Sequence, residues 1–168
     1  MKTFRCLALL ILALALAGFA KKKEALSVTF HVETNSRDTS SFALPVNLKN
    51  LGRQSYIEKM PSITEREISR IFPFSASDGS MGCAFILDDH GRVWLDTLSV
   101  EKRGMALVAM VNGRIVCDML IDKRVADGII TIPNGLSDQD IVILTKKFKV
   151  AGTGKKAAPT GFERMPNN

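Results

Sequence analysis

The run MALVAMVNGRIVCDMLI, Met105 to Ile121, decides the fold. Two apolar stretches flank Asn112-Gly113, the strongest short hairpin signal there is, because a type I′ turn needs positive φ at both central residues. Met105–Val111 is apolar at every position and predicts a strand buried on both faces; Arg114–Ile121 is the strand that returns. Working back from this hairpin, Met81–Leu87 is a strongly hydrophobic strand behind a turn at Ser77–Gly79. Asp88-Asp89-His90-Gly91 has turn composition, Arg92–Thr97 reads as the strand leaving it, and Ser99–Gly104 as a polar helical turn or loop. Working forward, Asp122–Asp127 is polar, Gly128–Ile132 is a short last strand, and Pro133-Asn134-Gly135 turns the chain. Ser137 then caps a helix. Asp138 and Asp140 stand in its first turn and Lys146, Lys147 and Lys149 in its last, the charge order the helix dipole favours. Ile141, Leu144 and Phe148 form its sheet-facing side.

Closer to the N-terminus the pattern is weaker. Leu26–Val32 predicts a first strand, with Val28, Phe30 and Val32 on one face and Thr29 and His31 on a polar face. Thr34–Ser41 has loop composition. Phe42–Leu48 and Gln54–Met60 are extended stretches around Asn50-Leu51-Gly52. Thr64-Glu65-Arg66-Glu67 matches a capping box and predicts a short helix with Ile68, Ile71 and Phe72 on its apolar side, ended by Pro73. The expectation is an α+β fold: one domain over 26–150, an antiparallel or mixed sheet of about five or more strands, and two helices packed on one face.

The ends carry an address. Met1–Ala20 reads as a secretory signal peptide: Lys2 and Arg5, then an apolar run from Cys6 to Phe19, then small residues at Gly18 and Ala20. Cleavage is expected between Ala20 and Lys21. The alternative is an uncleaved N-terminal anchor, although the run is shorter than the ~20 apolar residues of a spanning helix. Export to the periplasm or the extracellular space follows, or inner-membrane anchoring with the domain facing the periplasm. Residues 21–25 form a charged lead-in, and 151–168 read as a disordered tail.

The formal charge of +6 lies in those ends. Between Glu24 and Val150 there are 15 Lys/Arg against 16 Asp/Glu, without the clustered basic face of a nucleic-acid binder. Nucleic acid is therefore not an expected partner, and a membrane is one only if the N-terminal segment stays. Two cysteines survive cleavage, Cys83 and Cys117. In an oxidising compartment they form either a disulfide or two buried thiols acting as small hydrophobes. No chemistry-bearing motif emerges. His31 and His90 are unrelated in sequence, no C-x-x-C exists for a metal, and Asp88, Asp89 and Asp96 lack the ligand alternation of a calcium loop. No G-x-S-x-G elbow appears, and Gly152-Thr153-Gly154-Lys155-Lys156 fails the phosphate-loop pattern. No catalytic residue, cofactor or metal is expected. Trp94 is either a rim aromatic or a half-exposed stacking surface.

From Met81 to Phe148 the chain resembles the head subdomain of the first periplasmic domain of the SecD family. The likeness rests on Leu107–Val111, the Asn112-Gly113-Arg114 tip, Ile115-Val116, then Gly128–Ile132, Asn134-Gly135 and Ser137-Asp138-Gln139-Asp140 in that order. Cys117-Asp118-Met119 departs from it, since the family usually has a Pro there. The resemblance implies a non-enzymatic binding module that contacts unfolded or secretory polypeptides, or Sec components, during protein export. It carries over no functional residue. Nothing past Ala20 is apolar enough to span a bilayer, so the family's membrane-borne pumping is not implied. The alternative expectation is a structural, envelope-associated protein tethered by an uncleaved N-terminal helix.

Overall fold

A computed structural model of the chain describes residues 27–35 and 42–152. The expected signal peptide, its Ala20/Lys21 cleavage site, the lead-in and the tail from 153 onward lie outside them. The fold is α+β, with two α-helices and the strands divided between a six-stranded and a four-stranded sheet.

The six-stranded sheet is built on the predicted hairpin. Strands β7 (Ala106–Val111) and β8 (Arg114–Leu120) turn at Asn112 and Gly113, whose φ values of 51° and 75° are those the turn requires. β1 (Val28–Thr34) pairs antiparallel with β7 along one side. Its other side is shared by β4 (Ile63–Thr64) and then β3 (Arg53–Glu58), which pairs with β2 (Ala43–Leu48). The four-stranded sheet runs β10–β5–β6–β9, with β5 (Ile68–Ser75), β6 (Met81–Leu87) and β9 (Ile129–Leu136) antiparallel and the short β10 (Lys149–Val150) parallel to β5.

The main core lies where the two sheets and the helices meet. Val28, Phe30 and Val32 of β1 and Leu107, Ala109 and Val111 of β7 share it with Ile71, Phe85 and Ile130 of the other sheet. Phe30 and Phe85 meet edge to face with ring centres 5.6 Å apart, a favoured aromatic geometry. Helix α1 (Asp89–Glu101) packs on β6 and contributes Leu95 and Leu98. Helix α2 (Asp138–Lys147) packs on β5 and β10 and contributes Leu144. Both helices therefore cover the inner face of the four-stranded sheet; on its outer face Phe72 and Ile129 stay exposed among the described residues.

Every position of β7 is apolar because it faces two cores. Ala106 and Val108 pack with Leu48 and Ile57 in a second cluster on the other side of the sheet. The β2–β3 hairpin closes over that side, and its turn is tied to β8: the backbone N–H groups of Asn50 and Leu51 donate to the Asp118 carboxylate at 3.0 Å, and the Asn50 amide donates to the Asp118 carbonyl at 3.0 Å.

Several expectations are corrected. The Thr64–Glu67 capping box is present, but it closes only a single 3-10 turn (Glu65–Glu67) before β5 begins. Ile68, Ile71 and Phe72 lie in a strand, because pairing with β6 overrides the cap, and Pro73 sits within it at Cys83, beyond the reach of two-residue β10. Asp88-Asp89-His90-Gly91 starts a helix: the Asp88 carboxylate accepts from the Gly91 N–H at 2.7 Å as an N-cap. Arg92–Thr97 is accordingly helical, with Leu95 and Leu98 on its buried side. Pro133–Gly135 does not turn the chain; it lies in β9, where a register irregularity absorbs it. Phe148 ends α2 as its C-cap and belongs to no helical face. Finally, the expected polar face of β1 is covered, and His31 and Glu33 are buried.

Candidate functional site

The residues that sequence singled out do not converge. His31 is buried, its Nδ1 donating to the Glu58 carbonyl at 2.8 Å and its Nε2 paired with the Thr29 hydroxyl at 3.0 Å. His90 is exposed in the first turn of α1. Asp88 is spent on its cap, Asp89 on Arg92 at 3.7 Å, and Asp96 on a bidentate pair with Arg124 at 2.5 and 2.7 Å. That guanidinium holds the Asp96 carboxyl below its usual range. Among the described residues no His, Cys, Asp and Glu group could hold a metal.

Cys83 on β6 and Cys117 on β8 are free, buried thiols. Burial pushes Cys83 up to about 11 and raises Cys117, which also feels the Asp118 charge. Both side chains belong to the main core cluster. Both stay protonated near neutral pH and are poor nucleophiles.

The first strand offers no edge to which a peptide strand could add: β1 is paired on both sides. Two of the strands that form edges, β2 and β9, are blunted. The Lys59 N–H bond to the Phe42 carbonyl at 2.8 Å sets the β2 ladder, so that Ala43, Pro45 and Asn47 point outward, and Pro45 has no N–H to offer. On β9 the outward N–H of Ile129 is taken by Asp127 at 3.0 Å, and Pro133 again has none.

The outer face of the four-stranded sheet is different. Registered residues form rows across it: Lys149–Arg70–Ile86–Ile129, then Phe72–Ala84–Thr131, then Phe74–Gly82. Phe72 is 51% exposed and Ile129 39%. Gly82 lets the Phe74 ring lie flat across β6, since a Cβ there would come within 2.4 Å of the ring. Arg70 and Lys149, directly side by side, have no ion-pair partner among the described residues. Adjacent like charges are unfavourable in a sheet, and their company here is apolar. The face is thus a flat aromatic and aliphatic strip with a basic end.

The second surface is a groove of about 660 Å³ beside the β2–β3 hairpin. Glu33, which the sequence pattern did not single out, lines it. The Arg53 guanidinium grips Glu33 from two nitrogens, one at 2.7 Å, the Ser55 hydroxyl donates to it, and so does the Ala106 N–H at 2.8 Å. Burial pushes the Glu33 carboxyl up, but the Arg53, Ser55 and Ala106 donors outweigh it and leave the group below its ordinary value. A carboxylate with four donors is a poor general base. Alternation was the signal that could have found it: Glu33 continues the Thr29-His31 series, and Arg53 and Ser55 share a face opposite.

No family model matches the chain, and no curated protein sequence matches it. Solved structures do. The chain is similar to a structure of SecDF, described as a membrane component that enhances protein export, at TM-score 0.51 and 12% identity over 73% of this chain and 62% of that one. It is similar also to the crystal structure of SecDF in its super-membrane-facing form, at TM-score 0.52 and 12% identity over 73% of this chain and 19% of that one. At that identity the likeness is one of fold, and the fold is SecD-like. It extends over a larger share of the chain than Met81–Phe148 alone. The chain spans less than two thirds of either SecDF chain, and no helix among the described residues is long and apolar enough to cross a membrane.

Proposed function

We propose that this chain is an exported, non-enzymatic binding module related to protein export, one that contacts unfolded or secretory polypeptides in the cell envelope through the outer face of its four-stranded sheet. The observation that carries the reading is that face: Phe72, Phe74, Ile86 and Ile129 beside Arg70 and Lys149, two cations with no ion-pair partner among the described residues. An unfolded chain exposes apolar and acidic side chains together, and this strip complements both. The SecD-like fold supports the reading by analogy with a protein described as enhancing export. Within it, residues 81–148 correspond to the head subdomain of the first periplasmic domain, and Sec components are the second class of partner.

The test is binding of a permanently unfolded, reduced and carboxymethylated protein, compared with its native form. Saturable binding of the unfolded form alone is expected, weakened at least about tenfold in Phe72→Asp, where burying an unpaired charge is unfavourable. Equal binding by Phe72→Asp would sink the proposal. Export itself is checked by mass spectrometry of the mature N-terminus, with a chain beginning at Lys21 expected.

A further inference from the structure

On the outer face of the four-stranded sheet, the side chains of the central strand β6 shrink in order: Ile86, Ala84, Gly82. Ala84 is half-buried and is the low point among larger neighbours. Phe72 of β5 flanks it on one side and Thr131 of β9 on the other. Ile86 borders it at one end. At the other end the Phe74 ring lies across Gly82, where a Cβ would overlap it. The result is a shallow seat one side chain wide, floored by the Ala84 methyl group. The row beside it carries charge. Arg70, registered with Ile86, stands next to Lys149. Both cations are exposed, and neither has an ion-pair partner among the described residues.

We propose that this strip selects extended segments of the form acidic–x–apolar–x–apolar, with the central apolar side chain seated on Ala84. The inference rests on the polypeptide reading above and names the sequence it prefers. In an extended segment, side chains on one face recur every second residue, about 6.6–6.8 Å apart. The rows of the sheet also step by two residues, so the two repeats match. An anchor on Ala84 therefore places the side chain two residues away over the row of Arg70. A carboxylate there accepts from the forked guanidinium and relieves the repulsion between Arg70 and Lys149. Two residues away in the other direction, an apolar side chain meets the Phe74 ring. Side chains at odd spacing face solvent. A membrane is disfavoured because apolar groups must reach about 5–10 Å into lipid, and the middle of this face is a depression. A second copy on a two-fold axis at the seat is disfavoured too. It would set one Ala84 against the other and leave unfilled space, which forfeits contacts.

The experiment is fluorescence anisotropy of the full-length chain with short labelled Gly/Ser peptides carrying Glu, Leu and Leu at alternate positions. Saturable binding is expected, with a dissociation constant of about 1 mM or tighter. Replacing the central Leu by Ser should weaken it at least about tenfold. Moving the Glu by one residue should weaken it about two- to fivefold. On the protein, Ala84→Leu fills the seat and should bind at least about tenfold more weakly at an unchanged thermal midpoint. Arg70→Glu should reverse the charge preference, losing the Glu peptide and gaining its Lys counterpart. Silence from every peptide, affinity unchanged by Ala84→Leu or by loss of the central Leu, or equal binding of Glu and Lys peptides would each overturn the pattern. So would binding only to phosphatidylglycerol vesicles, or a dimer that Ala84→Leu dissociates. If the carboxymethylated protein still binds and Phe72→Asp weakens it, such results remove the sequence preference alone and leave the polypeptide reading standing. Equal binding by Phe72→Asp removes that reading itself.

Discussion

Each of the two sheets has one face in the main core, and the fates of their other faces are opposite. On the six-stranded sheet the second face carries Thr29, His31 and Glu33 of β1 beside the apolar Ala106 and Val108 of β7, and His31 and Glu33 are buried beneath the β2–β3 hairpin. On the four-stranded sheet the second face carries Phe72, Phe74, Ile86 and Ile129, and none of the described residues covers Phe72 or Ile129, which stay exposed. The covered polar face had to satisfy its groups internally, which is why Glu33 collects four donors. The uncovered apolar face has no folding role, which is what makes it a candidate binding surface.

The sharpest way to break this comparison is to cut equivalent side chains on the two faces. Ile57→Ala, beneath the hairpin, is expected to cost about 2–5 kcal/mol in urea unfolding. A cost like that of a surface substitution would mean the hairpin does not seal that face. Glu33→Ala comes next, at about 1–3 kcal/mol, because it strands the Ala106 N–H and the Arg53 charge; an unchanged denaturation midpoint would contradict the four-donor site. The same carboxylate sets a pH signature. Its value in the fold is below the ordinary 4.5, so its contribution is complete above that value and is lost as pH falls through the folded-state value. The acid side of a stability-against-pH curve should flatten in Glu33→Gln, and a superimposable curve would remove Glu33 from the account. Smaller again, Asn50→Ala should loosen the hairpin turn from Asp118 by about 1 kcal/mol and speed hydrogen exchange at Leu51; unaltered exchange would place the tether elsewhere. Smallest of all, Phe72→Ser on the bare face should stay within about 0.5 kcal/mol of the parent in the same unfolding assay. A large loss there would show that something covers Phe72 after all.

Local signals were legible where a short stretch settles its own geometry. Asn112-Gly113 specified its turn through the φ values only those residue types adopt readily, and Ser137 with Asp140 completed its cap. The apolar run Met105–Val111 announced two buried faces without saying what would cover the second. Signals failed where two local preferences competed. Asp88-Asp89-His90-Gly91 suits a turn or an N-cap equally well, and the choice rests on Leu95 and Leu98 finding the core four and more residues later. Thr64–Glu67 caps as expected, but the next eight residues pair with β6 because an aromatic and β-branched run gains more there than in an isolated helical turn. Neither surface was visible either: Glu33 and Arg53 are twenty residues apart, and the rows of the bare face draw on four separate strands.

By itself, then, the amino-acid order determined the α+β class, the Asn112-Gly113 hairpin, the second helix and its N-cap, and an N-terminal stretch with the composition of an export signal. Those properties depend on backbone preferences and periodicity within a few residues. Only the tertiary structure decided which sheet face is covered, that β1 is central, and that Glu33 joins a groove while Phe72 stays bare. These depend on contacts between segments far apart in the chain, whose free energy belongs to the pairing and to neither partner alone.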